Sequence, residues 1–348
     1  MQEANRGRGQ ALFEQANEDA GSSEFQPLSA EHLISQMRET ADKFLRDGAS
    51  RGDLKLVNTA LKELRYCFKV FRPFRDLRKV TVFGSARLPP SDGAYQAAVA
   101  FGKRMADAGF MVVTGAAAGI MEAGHVGAGR EHSIGINILL PFEQSANPII
   151  DGDRKLMHLK YFFTRKLLFV KESDAVAPFP GGFGTLDEGF EVLTLIQTGK
   201  SHLFPIVLVD EPGGVFWVRW QEFIRDVLLA RKLISEEDLS LYRIVESVDE
   251  AVEEILSFYH CYHSMRYVGR ELVLRLRQRI DEASLDQIRT DFKDILSGGT
   301  FEQGEALPLE GEEFPELNRL RFCFNRRNMG RLRQLIDFIN QKAKLLER

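Results

Sequence analysis

The sequence predicts an α/β protein built on a doubly wound parallel sheet. Between residues 79 and 229, short apolar runs alternate with segments whose apolar residues recur at helical spacing, which is typical of parallel strands joined by helices. Three of the apolar runs end in glycine-bearing turns, at residues 84–85, 114–119 and 181–185. Ligands of such sheets bind beyond the carboxyl ends of the strands, so we expect these turns to meet at one crevice of a Rossmann-like fold.

The expected core, residues 79–260, has its elements in a regular order. Its apolar runs are short, as expected of buried strands. Strands are predicted at residues 79–83, 110–113, 134–140, 175–179 and 206–209, and helices at residues 91–108, 120–129, 163–171, 185–199 and about 215–229.

The segment before the core is predicted to contain a tail and two helices. Residues 1–28 are polar with few apolar anchors, which predicts a disordered tail. Residues 29–78 carry two amphipathic stripes and predict a helical extension, with Asp53 as the N-cap of the second helix. Apolar stripes of this kind need a partner surface, on the core or on another subunit.

The segment after the core predicts a small α+β module over residues 265–348. Apolar and polar residues alternate near 272–277 and 320–325, and a helical pattern follows each alternation. The expected order is βαβα. A glycine-rich, acidic loop from Ser297 to Pro315 is expected to join the two halves.

Composition and charge exclude several classes of protein. The chain has 348 residues, 44% hydrophobic content and a net charge of −4, which favours a globular protein and disfavours nucleic acid as the main partner. The sequence contains no apolar run long enough for a membrane span, and its first residues lack an apolar segment, so we expect neither a membrane span nor a secretory signal. Its three cysteines are widely separated, so we expect no disulfide framework and a cytoplasmic location.

The segment from Pro180 to Glu188, with the sequence PGGFGTLDE, carries the strongest functional signal. It predicts a glycine turn between a strand and a helix, with Thr185 as the N-cap of the helix. Exposed backbone N–H groups beside the positive end of a helix form an anion site, so the turn is predicted to bind a phosphate. Glu188 would lie close to whatever the phosphate carries.

Two common nucleotide-binding motifs are missing from the sequence. Neither residues 84–87 nor residues 115–119 have the G-x-G-x-x-G spacing of a dinucleotide site, and the G-x-x-x-x-G-K-[ST] pattern of P-loop proteins does not occur. A nicotinamide dehydrogenase and a P-loop NTPase are therefore disfavoured. The histidine and cysteine residues at 260–263 lack the separated pairs of a zinc site, and we expect no metal.

A site for one phosphate remains, with charged residues close to it. Arg165 and Lys166 are predicted near the start of one helix, and Glu122 near the start of another. Such residues commonly form only a solvated helix start or compensate a helix dipole. Beside a nucleoside monophosphate, however, a carboxylate can stabilise the oxocarbenium-like state of N-riboside cleavage, with an arginine to position the substrate and keep Glu188 ionised.

Four separated blocks of the sequence resemble the Lonely Guy (LOG) family of nucleoside 5′-monophosphate phosphoribohydrolases, which are often mislabelled lysine decarboxylases. The blocks are residues 83–87 (FGSAR), 115–123 (GAAAGIMEA), 164–166 (TRK) and 180–188. The resemblance covers about residues 79–258. It implies that the chain hydrolyses AMP or an N6-modified AMP to the free base and ribose 5-phosphate, a reaction of cytokinin biosynthesis, without a cofactor.

The resemblance also implies the residues of the site and an assembly. Arg165 and Glu188 would be the catalytic pair, and the members of this family are dimers or larger homo-oligomers with the site near the subunit interface. The remaining residues would bind substrate: Gly84, Ser85, Gly115, Glu122, Lys166, Gly181, Gly182, Phe183, Gly184, Thr185 and Thr194.

The chain departs from the family pattern in two places. Ala116, Ala117 and Ala118 stand where many members have glycines, and their methyl groups would narrow the approach to a phosphate or ribose. The segments before residue 79 and after residue 260 are longer than in the compact plant enzymes and resemble longer bacterial relatives.

Other functions stay open on the sequence alone. One is a non-catalytic carrier or sensor of a phosphorylated ligand with the same fold, such as the molybdenum-cofactor carriers. Another is a regulated nucleosidase with a broad purine and pyrimidine range. Lysine decarboxylation is disfavoured, because nothing around Lys166 or Lys171 suggests the lysine that would hold pyridoxal phosphate.

Overall fold

The structure, a computed structural model, describes residues 29–139, 146–310 and 313–346. The tail expected at residues 1–28 lies outside this range. The chain divides into two compact units, residues 1–59 and residues 60–348.

The first unit contains helix α1 (Ala30–Arg46) and the beginning of helix α2 (Arg51–Phe71). The prediction that Asp53 is the N-cap of α2 was wrong, because Ser50 directly precedes the helix. The Ser50 hydroxyl accepts a hydrogen bond from the Asp53 N–H, and the Asp53 carboxylate accepts one from the Ser50 N–H. This reciprocal pair is a capping box, in which the acidic residue stands three positions after the cap.

The second unit contains a seven-stranded sheet in which every pair of neighbouring strands is parallel. This sheet confirms the predicted doubly wound α/β fold. Its strands are β1 (Lys79–Phe83), β2 (Met111–Thr114), β3 (Ser133–Ile138), β4 (Leu156–Leu159), β5 (Ala175–Pro178), β6 (Ile206–Val209) and β7 (Tyr242–Val245). The connecting helices are α3 (Gly93–Asp107), α4 (Ile120–Ala128), α5 (Phe162–Glu172), α6 (Phe183–Gln197), α7 (Phe216–Phe223) and α8 (Val248–Phe258).

The strand order is β4-β3-β2-β1-β5-β6-β7. From β1 the chain first builds the sheet in one direction through β2, β3 and β4, and then continues on the other side of β1 with β5. The reversal creates a topological switch point between β1 and β5, where a crevice opens at the carboxyl ends of the strands.

A second sheet follows, with four antiparallel strands in the order β10-β11-β9-β8. The prediction of a βαβα module was incomplete, because the segment has the order ββαββα. Part of the expected loop from Ser297 to Pro315 forms an edge strand, whose two register shifts and Gly298-Gly299 pair interrupt the alternation that would have indicated it. The elements are β8 (Tyr262–Val268), β9 (Glu271–Leu276), α9 (Glu282–Asp291), β10 (Leu296–Gly304), β11 (Asn318–Phe324) and α10 (Met329–Leu346).

The two sheets of the second unit share one hydrophobic core. A single cluster of buried side chains includes Val113 and Trp217 around the parallel sheet and Leu274 and Phe322 on the antiparallel sheet. Each large apolar side chain buried in this way stabilises the fold by about 1.5–3 kcal/mol. Within the described parts of the chain, no helix combines the length and the apolar character that crossing a membrane requires.

Candidate active site

A cavity of about 850 Å³ lies at the carboxyl ends of β1, β2, β3 and β5. The glycine-bearing turns after β1, β2 and β5 all contribute to its wall, as do α5 and the start of α6. The topological reversal at β1 therefore places the three turns at one crevice.

The turn after β5 leads directly into α6. The helix begins at Phe183 with Gly182 as its N-cap, and the Thr185 N–H donates to the Gly182 carbonyl oxygen. The prediction that Thr185 is the N-cap was wrong, because the cap lies three residues earlier, at Gly182. Thr185 lies within the first turn instead, where its side chain is buried and lines the cavity.

The N–H groups at the start of α6 are available to a ligand. Among the described residues, those of Gly182, Phe183 and Gly184 donate to no other group. A Cβ atom placed on Gly182 or Gly184 would meet nothing within 4 Å, so the backbone is open on this side. Unpaired N–H groups at the positive end of a helix favour an anion.

Gly181 holds the turns after β1 and β5 close together. A Cβ atom at this position would lie 2.2 Å from Thr185 Oγ1 and 2.9 Å from the Ser85 nitrogen, so no larger residue fits without a shift. The Ser85 N–H donates to the Pro180 carbonyl oxygen at 3.0 Å. Gly181 does not line the cavity but permits the approach of the residues that do.

Arg165 of α5 and Glu188 of α6 face each other across the cavity wall. Arg165 Nη2 is 3.6 Å from Glu188 Oε1, and both side chains are largely buried. The guanidinium carbon lies 4.9 Å from the ring centroid of Phe162 and 5.7 Å from that of Phe169. Arg165 Nε is buried and has no hydrogen-bond partner among the described residues, so the guanidinium retains an unused donor.

Lys166 pairs with Glu188 from outside the cavity. Its Nζ is 3.4 Å from Glu188 Oε2 and 2.9 Å from Asp187 Oδ2, and it also pairs with Glu191. Lys166 does not line the cavity. It therefore contacts the carboxylate without contributing to the cavity wall.

Burial controls the protonation of the Arg165–Glu188 pair. Desolvation raises the pKa of Glu188 above its ordinary value, although Lys166 and Arg165 both act to lower it. Desolvation also lowers the pKa of Arg165, while the Glu188 charge opposes that change. Arg165 does favour the ionised form of Glu188, as expected from the sequence. Desolvation is the larger effect, however, and the pKa of Glu188 is raised overall.

The structure places the other predicted site residues in two groups. Gly84, Ser85, Gly115, Gly182, Phe183, Gly184 and Thr185 line the cavity together with the Arg165–Glu188 pair. Glu122, Lys166, Gly181 and Thr194 do not line it. The Thr194 hydroxyl donates to the Phe190 carbonyl oxygen within α6 at 2.7 Å.

The alanines after β2 have different surroundings. Ala116 adopts a left-handed backbone with φ of 59°, and its buried side chain packs with Ile150 and Leu156, not against the cavity. Ala117 lines the cavity. Of these two positions, only Ala117 adds a methyl group to the cavity wall.

Several lining residues were missed from the sequence. Arg87 on the turn after β1 and Asn137 at the end of β3 are the polar ones among them, and Met121, Phe162 and Phe169 are apolar. A single asparagine near the carboxyl end of an otherwise apolar predicted strand could have indicated a functional residue, because a buried polar side chain usually has a hydrogen-bond partner or binds a ligand. The apolar residues gave no signal, since their helical spacing is equally typical of a core.

Comparison with protein-family models gives one match for this chain. A family model described as "Possible lysine decarboxylase" matches residues 114–255, a range that holds Arg165, Glu188 and the turn between β5 and α6.

Two curated rice proteins (Oryza sativa subsp. japonica) are similar in sequence. Cytokinin riboside 5′-monophosphate phosphoribohydrolase LOG is 29% identical over 221 residues, which are 62% of this chain and 78% of that protein. A protein named probable cytokinin riboside 5′-monophosphate phosphoribohydrolase is 34% identical over 143 residues, which are 39% of this chain and 55% of that protein.

Solved structures give weaker similarity. A molybdenum cofactor binding protein from Rippkaea orientalis is 20% identical, with a TM-score of 0.38, over 52% of this chain and 96% of that one. The molybdenum cofactor carrier protein from Chlamydomonas reinhardtii is 20% identical, with a TM-score of 0.36, over 52% of this chain and 99% of that one.

Proposed function

Because the chain belongs to the LOG family, we propose that it hydrolyses the N-glycosidic bond of a nucleoside 5′-monophosphate, AMP or an N6-modified AMP, to the free base and ribose 5-phosphate. One observation carries the proposal: a buried carboxylate and guanidinium, 3.6 Å apart, lie in the same cavity as the open N–H groups at the start of α6. The catalytic residues proposed are Arg165 and Glu188, within residues 79–260.

The phosphate would bind at the start of α6. The N–H groups of Gly182, Phe183 and Gly184 supply donors, and the helix supplies a favourable field. Binding there places the ribose beside Glu188, since that residue follows in the next turn of the helix. Arg165, which has an unused Nε donor, would fix the sugar phosphate by charge-assisted hydrogen bonds.

Cleavage would then proceed through a ribosyl oxocarbenium-like state. As the bond from C1′ to the base nitrogen breaks, the bonding electrons leave with the base, and the Glu188 carboxylate stabilises the cation at C1′. A water molecule attacks C1′ and gives a proton to Glu188, which passes that proton to the nitrogen of the departing base and is thereby restored as the carboxylate. A carboxylate with a raised pKa accepts and returns a proton more readily at neutral pH than an ordinary one.

We further propose that the chain acts in the cytoplasm as a homo-oligomer. Phe162, Phe163 and Leu167 of α5 are each about half exposed, and Phe162 also lines the cavity. A second copy covering these side chains would bury apolar surface at the rim of the site.

Replacing Glu188 tests the proposed reaction. With a panel of nucleoside monophosphates, the unaltered protein should release free base and ribose 5-phosphate, detected by chromatography. Glu188→Gln keeps the size of the side chain but removes the carboxylate charge and the proton acceptor, so we expect turnover to fall by about 10²–10⁴-fold. Nucleotide binding, followed by calorimetry, should persist.

Glu191→Gln is the matched control for this experiment. Glu191 lies on the same helix and also pairs with Lys166, but it does not line the cavity, so turnover should change little. Turnover of Glu188→Gln equal to that of the unaltered protein would remove the carboxylate from the mechanism. Binding without turnover in the unaltered protein would indicate a carrier.

A further inference from the structure

Asn137 is a polar lining residue to which the proposed reaction gives no role. Six of the described lining residues have polar side chains: Ser85, Arg87, Asn137, Arg165, Thr185 and Glu188. Five of them lie on the turn after β1, on α5 or at the start of α6. Asn137 alone among these six lies on β3.

The sheet places Asn137 at the far end of the cavity from the phosphate turn. In the order β3-β2-β1-β5, three strand spacings separate β3 from β5, which is about 14 Å. Gly135 pairs with Thr114, the last residue of β2, so Asn137 lies two residues beyond the end of the neighbouring strand. A nucleotide with its phosphate at α6 reaches this distance only with its base.

The Asn137 side chain lines the cavity and has no hydrogen-bond partner among the described residues. The residue as a whole is only 6% exposed, and its amide atoms are not among the fully buried ones that lack a partner. The amide is therefore open to the cavity. A ligand that offers one acceptor and one donor side by side would pair with both of its polar atoms.

We propose that Asn137 determines base specificity by hydrogen bonding to an edge that pairs a ring-nitrogen acceptor with an exocyclic amino donor. Adenine presents such an edge, and an asparagine amide matches it with two hydrogen bonds. On the edge formed by N7 and the group at C6, adenine presents an acceptor and a donor, whereas hypoxanthine presents two acceptors, so the amide loses one of the two bonds. An adenine alkylated once on the amino nitrogen keeps one N–H and can still pair. The inference rests on the proposed nucleosidase function.

The preference for AMP over IMP tests the role of Asn137. The unaltered protein should have a kcat/KM for AMP about 10- to 100-fold above that for IMP, the range expected for one bidentate pair. Asn137→Leu, which keeps the branched shape and the number of heavy atoms but has no polar group, should bring this ratio close to one. Because a general loss of active protein affects both substrates equally, the ratio is insensitive to partial misfolding.

Two controls separate base recognition from a general effect on the cavity. Ile138→Val alters the next lining residue without changing any polar group, so it should leave the AMP-to-IMP ratio unchanged. Inhibition by ribose 5-phosphate, which has no base, should be the same in Asn137→Leu as in the unaltered protein. An unchanged ratio in Asn137→Leu, or a matching loss of ribose 5-phosphate inhibition, would overturn the inference.

The inference can fail independently of the proposed function. If the unaltered protein hydrolyses no nucleotide, calorimetric titration with AMP and IMP still measures the preference, and Asn137→Leu should abolish it. Hydrolysis with no dependence of the ratio on Asn137 would keep the function and reject the specificity residue.

Discussion

At the scale of single residues, His125 of α4 is fully buried behind the loop that follows β2. Its Nε2 lies 3.1 Å from both Thr114 Oγ1 and the Ile134 carbonyl oxygen, and its Nδ1 lies 3.2 Å from Asn147 Nδ2. Burial lowers its pKa to about 4. The ring is therefore neutral in the folded protein at neutral pH.

The buried ring should make stability depend on pH. The unfolded chain binds a proton at His125 with a pKa of about 6.5 and the folded chain only at about 4, so the unfolded state gains protons first as the pH falls. Stability from this residue is complete above about pH 6.5 and is lost below it, by about 2 kcal/mol between pH 7 and pH 5.

Urea unfolding at several pH values measures this loss. His125→Gln should lower stability at pH 7 but remove the additional decline toward pH 5, because glutamine does not titrate. His132→Gln, which changes an exposed histidine just before β3, should preserve the decline. An identical decline in His125→Gln and the unaltered protein would assign the effect to other groups.

At the scale of secondary structure, α2 determines where α5 begins. Glu63 of α2 accepts a hydrogen bond from the Lys160 N–H at 2.7 Å and another from the Thr164 hydroxyl at 2.6 Å. Thr164 is buried and immediately precedes Arg165. A carboxylate from one helix thus fixes the first turn of the helix that carries the proposed catalytic arginine.

Loss of this contact should impair the site as well as the fold. Glu63→Ala leaves a backbone donor and a buried hydroxyl with fewer partners, so we expect a destabilisation of about 1–3 kcal/mol and a higher KM for the nucleotide. Glu63→Gln retains an oxygen acceptor for the Lys160 N–H and should restore most of both. A lower melting temperature with unchanged KM and kcat in Glu63→Ala would show that the contact only anchors the helix.

Element by element, the sequence predicted the interior of the sheets and missed their edges. Strands β1, β2, β3, β5 and β6 were expected within one or two residues, because each is a short apolar run covered on both faces. The four missed strands, β4, β7, β8 and β10, are the edge strands of the two sheets. An edge strand is partly exposed and can hold polar residues, as β8 does with His263, Ser264 and Arg266, so its sequence lacks the apolar run.

The residues of the candidate site were likewise predicted only where their sequence pattern is specific. Glycine turns and charged residues are visible in a sequence because their patterns are specific, and most of them line one cavity. Asn137 and the apolar wall were missed, because their role depends on which strands end side by side. Lys166 was expected to bind substrate, but it contacts Glu188 and does not line the cavity. The spacing of residues along a helix does not distinguish a side chain that lines a cavity from one that lies just outside it.

At the scale of the whole molecule, the continuous core predicts that the parallel and antiparallel sheets unfold together. Leu274 on β9 and Trp217 on α7 belong to the same cluster of buried side chains. The predicted boundary between residues 79–260 and 265–348 would instead allow each part to unfold separately.

Leu274→Ala distinguishes these two cases. The substitution leaves a cavity in the antiparallel sheet and should lower stability by about 2–5 kcal/mol. Both tryptophans of the chain, Trp217 and Trp220, lie on α7 near the parallel sheet, so their fluorescence reports on that part. With a shared core the fluorescence midpoint in urea falls together with the circular dichroism midpoint. An unchanged fluorescence midpoint would mean that the two parts unfold independently.

The position of β1 bears on how shortened versions of the protein can be designed. A fragment that starts at residue 114, where the family match begins, lacks β1 and all but the last residue of β2, the two strands that lie between β3 and β5. The two remaining groups of strands would each present a row of unsatisfied backbone donors and acceptors toward the gap, which invites aggregation. Expression boundaries drawn from the family match alone would thus remove two central strands of the sheet, and a useful minimal fragment has to begin at or before residue 79.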